Sequence, residues 1–91
     1  MSTPSSKIEI YTTLFCPFCI RAKQILDSKR VMYYETDVTT RLNLRKAMTE
    51  RAGGRTSVPQ IFIDGQHIGG CNDLLALERS GQLDKLLQVA S

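Results

Sequence analysis

The stretch Cys16-Pro17-Phe18-Cys19 decides how the rest of the chain is interpreted, because two thiols with two residues between them can close a small disulfide ring. Before this motif, residues 7–12 alternate with the period of a half-buried strand. After it, Pro17 predicts a helix start, since proline is favoured at a first helical position and Cys16 would then be the N-cap. The two thiols are therefore expected between a strand and a helix.

A sulfur at an N-cap faces backbone amides that have no acceptor within the helix. Pro17 has no N–H, so we expect the Cys16 sulfur to accept hydrogen bonds from the backbone N–H groups of Phe18 and Cys19, in the favourable field of the helix macrodipole. Cysteines in such settings ionise near neutral pH, and the thiolate is the nucleophilic form. Cys16 is therefore predicted to be an exposed nucleophile. Cys19, one turn further in, is predicted to resolve a mixed disulfide formed on Cys16.

A metal site is the alternative use of this cysteine spacing, since such pairs also open zinc and iron–sulfur motifs. Cys16, Cys19, Cys71 and His67 could supply four ligands. The chain has no second closely spaced pair, however, and Pro17 favours a helix start over a zinc knuckle. Two cysteines at this spacing beside a strand–helix–strand unit are typical of thioredoxin-like redox proteins, so we expect redox chemistry and no metal site.

The composition is that of one small domain. The chain has 91 residues, of which 42% are apolar, enough for a modest core without disulfide scaffolding. We expect a single domain over residues 1–91, with a flexible segment at 1–6. The net charge of +3 is scattered, which argues against a nucleic-acid surface and is compatible with a small acidic ligand. The opening residues carry no apolar run of signal-peptide length, so we expect a cytoplasmic protein of a reducing compartment, without membrane segments.

Apolar spacing after the motif predicts an amphipathic helix that ends near Arg30. The β-branched and aromatic residues of 31–38 predict a second strand, parallel to the first. Thr39 or Thr40 is expected to cap a second helix that stops at Gly53-Gly54. The charged residues of this helix are interpreted as a solvated face: Arg41, Arg45, Lys46 and Arg51.

The dipeptide Asp64-Gly65, between two short apolar runs, is a strong signal for a two-residue β-hairpin. That turn would pair Ile61 with Ile68 on one face and Phe62 with His67 on the other. His67 is therefore expected to pack or hydrogen-bond within the hairpin and not to act as a base or a ligand.

The hairpin is predicted to end at Gly69-Gly70, and Cys71 or Asn72 could cap a third helix that stops at Gly81. A last amphipathic turn is expected over residues 83–87. The order is strand, helix, strand, helix, two antiparallel strands and helix. This order predicts the α/β class, with helices covering both faces of the sheet.

Together these features resemble the small dithiol glutaredoxins, and the resemblance spans nearly the whole chain, from Lys7 to Leu87. The family implies an α/β thioredoxin fold, in which a four-stranded mixed sheet of order 2-1-3-4 is flanked by three or four helices. It also implies a monomeric glutathione-dependent oxidoreductase that reduces glutathionylated and disulfide-containing proteins. The resemblance depends on the order and spacing of four motifs, which are Cys16-Pro17-Phe18-Cys19, Ser57-Val58-Pro59-Gln60, the hairpin 61–68 and Gly69-Gly70-Cys71-Asn72-Asp73.

The resemblance also implies a cis peptide at Pro59 and a binding site for glutathione, the reducing co-substrate. The backbone N–H and C=O of Val58 would pair with the cysteinyl residue of glutathione, like a rung of an added strand. The γ-glutamyl carboxylate would lie at the start of the third helix. Arg55 and Gln60 are candidates for the glycyl carboxylate. The residues expected around glutathione are Phe18, Arg55, Ser57, Val58, Pro59, Gly70, Cys71, Asn72 and Asp73.

Three positions depart from the usual family pattern. Thr13 and Phe18 stand where many relatives have a lysine and a tyrosine, and Asn72 stands where an aspartate is more usual. Contact with the glutathione ammonium would then fall to Asp73, and we expect activity to persist with an altered affinity. Cys71 is interpreted as an inert or regulatory thiol. Two other functions stay open: a module that binds an iron–sulfur cluster with the help of glutathione, and a thioredoxin-like protein served by a flavoprotein reductase.

Overall fold

The computed structural model describes residues 6–88, which form a four-stranded sheet and four helices. No helix in this range is long and apolar enough to cross a bilayer. The strands are β1 (Ile8–Thr12), β2 (Tyr34–Asp37), β3 (Gln60–Ile63) and β4 (Gln66–Gly69). The helices are α1 (Pro17–Ser28), α2 (Leu42–Arg51), α3 (Cys71–Arg79) and α4 (Gln82–Leu87).

The sheet has the order β2-β1-β3-β4, with β1 parallel to β2 and the other neighbouring pairs antiparallel. This order confirms the predicted thioredoxin-type architecture. Residues 1–5 of the segment expected to be flexible lie outside the described residues. Ser6, its remaining member, is buried, and its hydroxyl donates a hydrogen bond of 2.6 Å to the Leu86 carbonyl.

One face of the sheet carries the main hydrophobic core. Ile8 and Ile10 of β1 and Ile61 and Ile63 of β3 are buried. Each such side chain contributes roughly 1.5–3 kcal/mol to folding when it is fully buried. Helices α1, α3 and α4 cover this face through Ala22, Leu26, Cys71, Leu74, Leu83 and Leu87. The packing therefore holds α1 and α3 in place relative to the sheet.

The strand pairing brings three separate segments to one end of the sheet. Tyr11 pairs with Gln60, and Ile61 pairs with Gly69, so the end of β1, the start of β3 and the end of β4 lie side by side. The loop into α1, the loop before β3 and the start of α3 are attached at these three points. Residues far apart in the chain can therefore form one site at this end.

Arg51, at the end of α2, covers the opposite face of the sheet. Its guanidinium carbon lies 4.1 Å from the ring centroid of Phe62, and its two terminal nitrogens donate to the carboxylate of Glu9 at 3.2 and 3.1 Å. Arg51 holds the pKa of Glu9 below its usual range. Arg51 is exposed, as predicted for a solvated face, but stacking and bidentate pairing also bind it to the sheet, which the sequence did not indicate.

The cap predicted for the second helix, Thr39 or Thr40, is wrong. Helix α2 begins after Arg41, which makes no side-chain capping bond. Thr39 has a tertiary role instead, since its hydroxyl accepts a hydrogen bond of 2.8 Å from the backbone N–H of Leu14. That bond ties the loop before the cysteine motif to the end of β2. The neighbouring elements are shorter than predicted, as β2 covers Tyr34–Asp37 and α1 ends at Ser28.

The hairpin follows its predicted register only near the turn. Phe62 faces His67 as predicted, with ring centroids 5.1 Å apart. Ile61 faces Gly69 and not Ile68, because a register shift between Ile61 and Phe62 leaves one extra residue in β4. Gly69 has a φ of +120°, a conformation that residues with a Cβ rarely adopt.

Candidate active site

Cys16 and Cys19 form a disulfide at the start of α1. As predicted, Cys16 is the N-cap with an extended backbone, and Pro17 is the first helical residue. The Cys16 sulfur accepts a hydrogen bond of 3.1 Å from the backbone N–H of Cys19. A second hydrogen bond to this sulfur was predicted from the N–H of Phe18. It does not occur within residues 6–88.

Cys16 is less exposed than the sequence led us to expect. It retains 9% of its surface in contact with solvent, against 1% for Cys19. The two residues are joined here, and in a closed disulfide each sulfur covers part of the surface of the other. The order of the two is the predicted one, so an incoming reagent would reach Cys16 first.

An open groove of ≈ 190 Å³ lies at this end of the molecule. Phe18, two residues after Cys16, forms part of its wall. The groove is smaller than the roughly 300–1,000 Å³ of typical ligand pockets, so a ligand bound there would stay partly in solvent. The structure brings together all nine residues predicted to surround glutathione. Their binding of glutathione remains a prediction. The lining residues are Phe18, Arg55, Ser57, Val58, Pro59, Gly70, Cys71, Asn72 and Asp73.

The loop before β3 contributes a backbone edge to this groove. The Val58–Pro59 peptide bond is cis, as the family resemblance implied. Neither the N–H nor the C=O of Val58 has a hydrogen-bond partner within the described residues. An extended ligand lying in the groove could therefore pair with both groups in the manner of an added strand.

Helix α3 contributes its N-terminus. Gly70 is the N-cap and Cys71 is the first helical residue, so the predicted cap at Cys71 or Asn72 is wrong. Asp73 makes this possible, because its Oδ2 accepts a hydrogen bond of 2.8 Å from the Gly70 N–H. That bond holds the pKa of Asp73 below its usual range. The first N–H groups of the helix lack intrahelical acceptors and favour an anion nearby.

Arg55 adds a cation to the same region. Its Nη1 lies 3.1 Å from Asp73 Oδ2, and both side chains are about half exposed. Exposed pairs of this kind typically contribute about 0–1 kcal/mol. Arg55 can therefore turn towards a charged ligand at little cost in stability, whereas Asp73 is also held by the hydrogen bond from the Gly70 N–H.

Gln60 does not serve as the contact for the glycyl carboxylate that the sequence suggested. It is fully buried, and its amide nitrogen donates to the Ser57 carbonyl at 3.0 Å. Its amide oxygen lies 2.6 Å from His67 Nε2. Gln60 cannot reach a ligand carboxylate in this arrangement, so its assignment as a direct contact is wrong. His67 occupies the hairpin, as expected.

Cys71 is buried in the wall of the groove, and its burial raises the pKa of its thiol. This environment favours the inert interpretation over a reactive one. Within residues 6–88, no group of three or more histidine, cysteine or acidic residues is placed to hold a metal ion.

Two apolar residues in the loop before the motif were not among the predicted site residues. Leu14 is exposed, and Phe15 keeps 98% of its surface in contact with solvent. On the other side of Cys16, the ring of Phe18 is also exposed. The sequence feature that could have identified Leu14 and Phe15 is the presence of two large apolar residues in a loop, where polar residues are usual.

The chain is similar to known glutaredoxins in both sequence and structure. The family profile described as Glutaredoxin matches residues 8–68. Glutaredoxin 3 of Escherichia coli K12 is 52% identical over 83 residues, which cover 91% of this chain and 99% of that protein. The solution structure of glutaredoxin from Brucella melitensis aligns with a TM-score of 0.80 and 47% identity, over 91% of this chain and 89% of the other. The crystal structure of the buckwheat glutaredoxin–glutathione complex aligns with a TM-score of 0.83 and 26% identity, over 91% and 77%.

Proposed function

The chain belongs to the glutaredoxin family, and on that premise we propose how its residues divide the work of a glutathione-dependent thiol–disulfide oxidoreductase. Cys16 is the nucleophile, and Cys19 is the resolving thiol. The observation that carries this proposal is the disulfide at the N-terminus of α1, with the Cys19 N–H directed at the Cys16 sulfur. Once the disulfide is reduced, the same N–H would stabilise a Cys16 thiolate.

For a glutathionylated protein, one thiol suffices. The Cys16 thiolate attacks the glutathione sulfur of the mixed disulfide, and the protein leaves as a thiolate that takes up a proton. Cys16 is then joined to glutathione by a new disulfide. A second glutathione thiolate attacks the glutathione sulfur of that bond, which regenerates the Cys16 thiolate and releases oxidised glutathione. The two electrons that reduce the substrate protein therefore come from glutathione.

For a protein disulfide, both thiols are needed. Cys16 attacks one sulfur of the substrate and forms a mixed disulfide with it. The Cys19 thiolate then attacks the Cys16 sulfur, which releases the reduced protein and closes the Cys16–Cys19 ring. Two glutathione molecules reopen the ring, the first by forming a disulfide with Cys16 and the second by removing that glutathione.

Glutathione would lie along the groove as the reducing co-substrate. The free N–H and C=O of Val58 would pair with its cysteinyl residue, and the start of α3 would receive its γ-glutamyl carboxylate. Arg55 would attract the glycyl carboxylate and Asp73 the ammonium group. The buckwheat glutaredoxin, a relative of the same fold, is found in complex with glutathione, which supports glutathione as the ligand of this chain. Ser57, Pro59, Gly70, Cys71, Asn72 and Phe18 would complete the walls.

We further propose that residues 1–91 act as a single domain and a monomer in a reducing cytoplasm. The single core of the described residues supports one domain. In such a compartment the Cys16–Cys19 disulfide would be a transient state of the catalytic cycle.

The source of electrons tests the proposed reaction. We expect rapid turnover with glutathione and glutathione reductase, and little turnover with a thioredoxin reductase, because the groove offers donors and charges for a tripeptide. Steady-state NADPH oxidation with each reductase measures the difference. Preference for the thioredoxin reductase would contradict the proposal. A brown colour and visible absorption in protein purified without oxygen would instead support iron–sulfur cluster binding.

Protein substrates need a surface beyond the groove, and Phe15 provides one beside Cys16. Its φ of +55° lies in the left-handed region, which costs a residue with a Cβ about 1–3 kcal/mol. Its exposed ring also forgoes the roughly 1.5–3 kcal/mol that burial would contribute. Both costs are offset if Phe15 packs against an apolar side chain of a substrate protein that flanks the disulfide under attack.

We therefore expect Phe15→Ser to raise the KM for a protein disulfide about tenfold, the effect of losing one good aromatic contact. The KM for a small glutathione mixed disulfide should not change, because Phe15 lies outside the groove. Met32→Ser is the matched control, since Met32 is 90% exposed but lies between α1 and β2. Equal effects of Phe15→Ser on the two substrates would rule out this docking role.

A further inference from the structure

A partly buried chain of hydrogen bonds runs from β4 to the groove, through His67, Gln60 and Ser57. The Gln60 amide nitrogen lies 3.0 Å from the Ser57 carbonyl oxygen and 3.4 Å from its Oγ. The Gln60 amide oxygen lies 2.6 Å from His67 Nε2. Leaving a buried amide group unpaired costs about 1–3 kcal/mol, so a fully buried Gln60 with both ends paired holds its two partners firmly.

The chemistry of the partners determines the direction of this chain. The Ser57 carbonyl oxygen only accepts hydrogen bonds, so the NH₂ of Gln60 must face it. The Gln60 carbonyl oxygen must then face His67, and because it also only accepts, His67 Nε2 carries a proton. His67 is therefore the Nε2–H tautomer when it is neutral. Burial lowers the pKa of His67, which favours the neutral ring.

The chain reaches the groove through the peptide that joins Ser57 to Val58. This peptide is trans, and a trans peptide directs its C=O and its N–H to opposite sides. Gln60 holds the Ser57 oxygen on the buried side, so the Val58 N–H is directed away from the core. Val58 lines the groove, and its N–H has no hydrogen-bond partner within residues 6–88.

We propose that Gln60 and His67 are positioning residues that hold the Val58 N–H in the orientation that binds the backbone of glutathione. The proposal depends on the proposed function, in which that N–H pairs with the cysteinyl residue. Neither residue would touch the ligand, because Gln60 is fully buried and the His67 ring packs on Phe62. Glutathione would thus be oriented by a histidine of the hairpin through one intervening side chain.

Two substitutions interrupt the chain at different points. Gln60→Leu removes the hydrogen bonds to Ser57 and to His67 at similar volume, and His67→Phe keeps a ring against Phe62 but removes the Nε2–H donor. We expect each to raise the KM for a glutathione mixed disulfide about tenfold while kcat stays within about twofold, since the thiols are untouched. The double variant should be no worse than Gln60→Leu, because the two residues act as one unit. His67→Gln, which restores a donor, should recover most of the loss.

Spectroscopy separates this role from a merely structural one. In wild-type protein, the ¹⁵N shifts of His67 should report the Nε2–H tautomer, and the amide signal of Val58 should move when glutathione is added. The Val58 amide signal should already differ in unliganded Gln60→Leu and His67→Phe. An Nδ1–H tautomer, or variants with a lowered melting temperature and an unchanged KM, would overturn the positioning role. A Val58 amide that ignores glutathione in the wild type would instead overturn the proposed binding mode.

Discussion

Cys16→Ser is expected to abolish the reduction of glutathionylated proteins and of protein disulfides, whereas Cys19→Ser should abolish only the reduction of protein disulfides. Cys16 is the N-cap whose sulfur accepts the Cys19 N–H, and it is the more exposed of the two thiols. Removing a covalent nucleophile should lower activity more than about 10³-fold. Serine at 19 leaves that nucleophile and its hydrogen bond in place, so deglutathionylation persists. It removes the thiol that must displace a bound protein, so that substrate stays attached to Cys16.

Two assays on the same variants measure this split, one with a small glutathione mixed disulfide and one with a protein disulfide. Mass spectrometry of Cys19→Ser should detect a trapped mixed disulfide at Cys16. Cys71→Ser is the control for loss of a thiol: because Cys71 is buried and its pKa is raised, we expect both reactions to persist, with any change confined to the KM for glutathione, whose groove Cys71 lines. Loss of both activities in Cys19→Ser, together with full activity in Cys16→Ser, would reverse the assignment.

Gly69→Ala is expected to lower the free energy of unfolding by about 2–4 kcal/mol and to weaken glutathione binding. The φ of +120° at Gly69 is strained for alanine. The new Cβ would also overlap the carboxylate of Asp73 and lie 2.9 Å from Nη1 of Arg55. Asp73 would have to move, and the hydrogen bond that it accepts from the Gly70 N–H at the start of α3 would be lost.

Urea unfolding and glutathione titration of the oxidised and reduced protein measure the two effects of Gly69→Ala. Gly53→Ala is the matched control, because Gly53 also has a positive φ, of +66°, but no atom lies within 4 Å of its added Cβ. We expect it to cost only about 1 kcal/mol, the strain of a left-handed residue, and to leave glutathione binding unchanged. Equal losses in the two variants would show that crowding by Asp73 and Arg55 contributes nothing.

The part of the candidate site at the start of α1 could be predicted from local sequence. Proline is compatible with a first helical position and lacks the N–H that would be unpaired there, so Pro17 identified both the helix start and its Cys16 cap. Asp64-Gly65 likewise predicted the hairpin, because few dipeptides suit a two-residue turn. The groove around Val58 was reached by resemblance to a family and not by periodicity, since its lining residues come from separate segments.

Three polar side chains have partners that were not predicted. Thr39 is a good cap in isolation, yet its hydroxyl accepts the N–H of Leu14. Arg51 is exposed, as a solvated helix residue would be, but it also stacks on Phe62 of β3. Gln60 was a candidate for a ligand contact, although burial commits its amide to Ser57 and His67. For Thr39 and Arg51 the partner is absent from the local sequence, and for Gln60 the local sequence does not show that the side chain is buried.

The sequence by itself determined the redox motif, the alternation that places Ile8 and Ile10 in the core, and the order of strands and helices. These features depend on φ preferences, hydrogen-bonding capacity and apolar period, which neighbouring residues set among themselves. Only the tertiary structure decided which polar groups stay free at the end of the sheet. Strand pairing brings Tyr11 beside Gln60 and Ile61 beside Gly69, and a buried amide must then find partners there, which leaves the Val58 N–H open to a ligand.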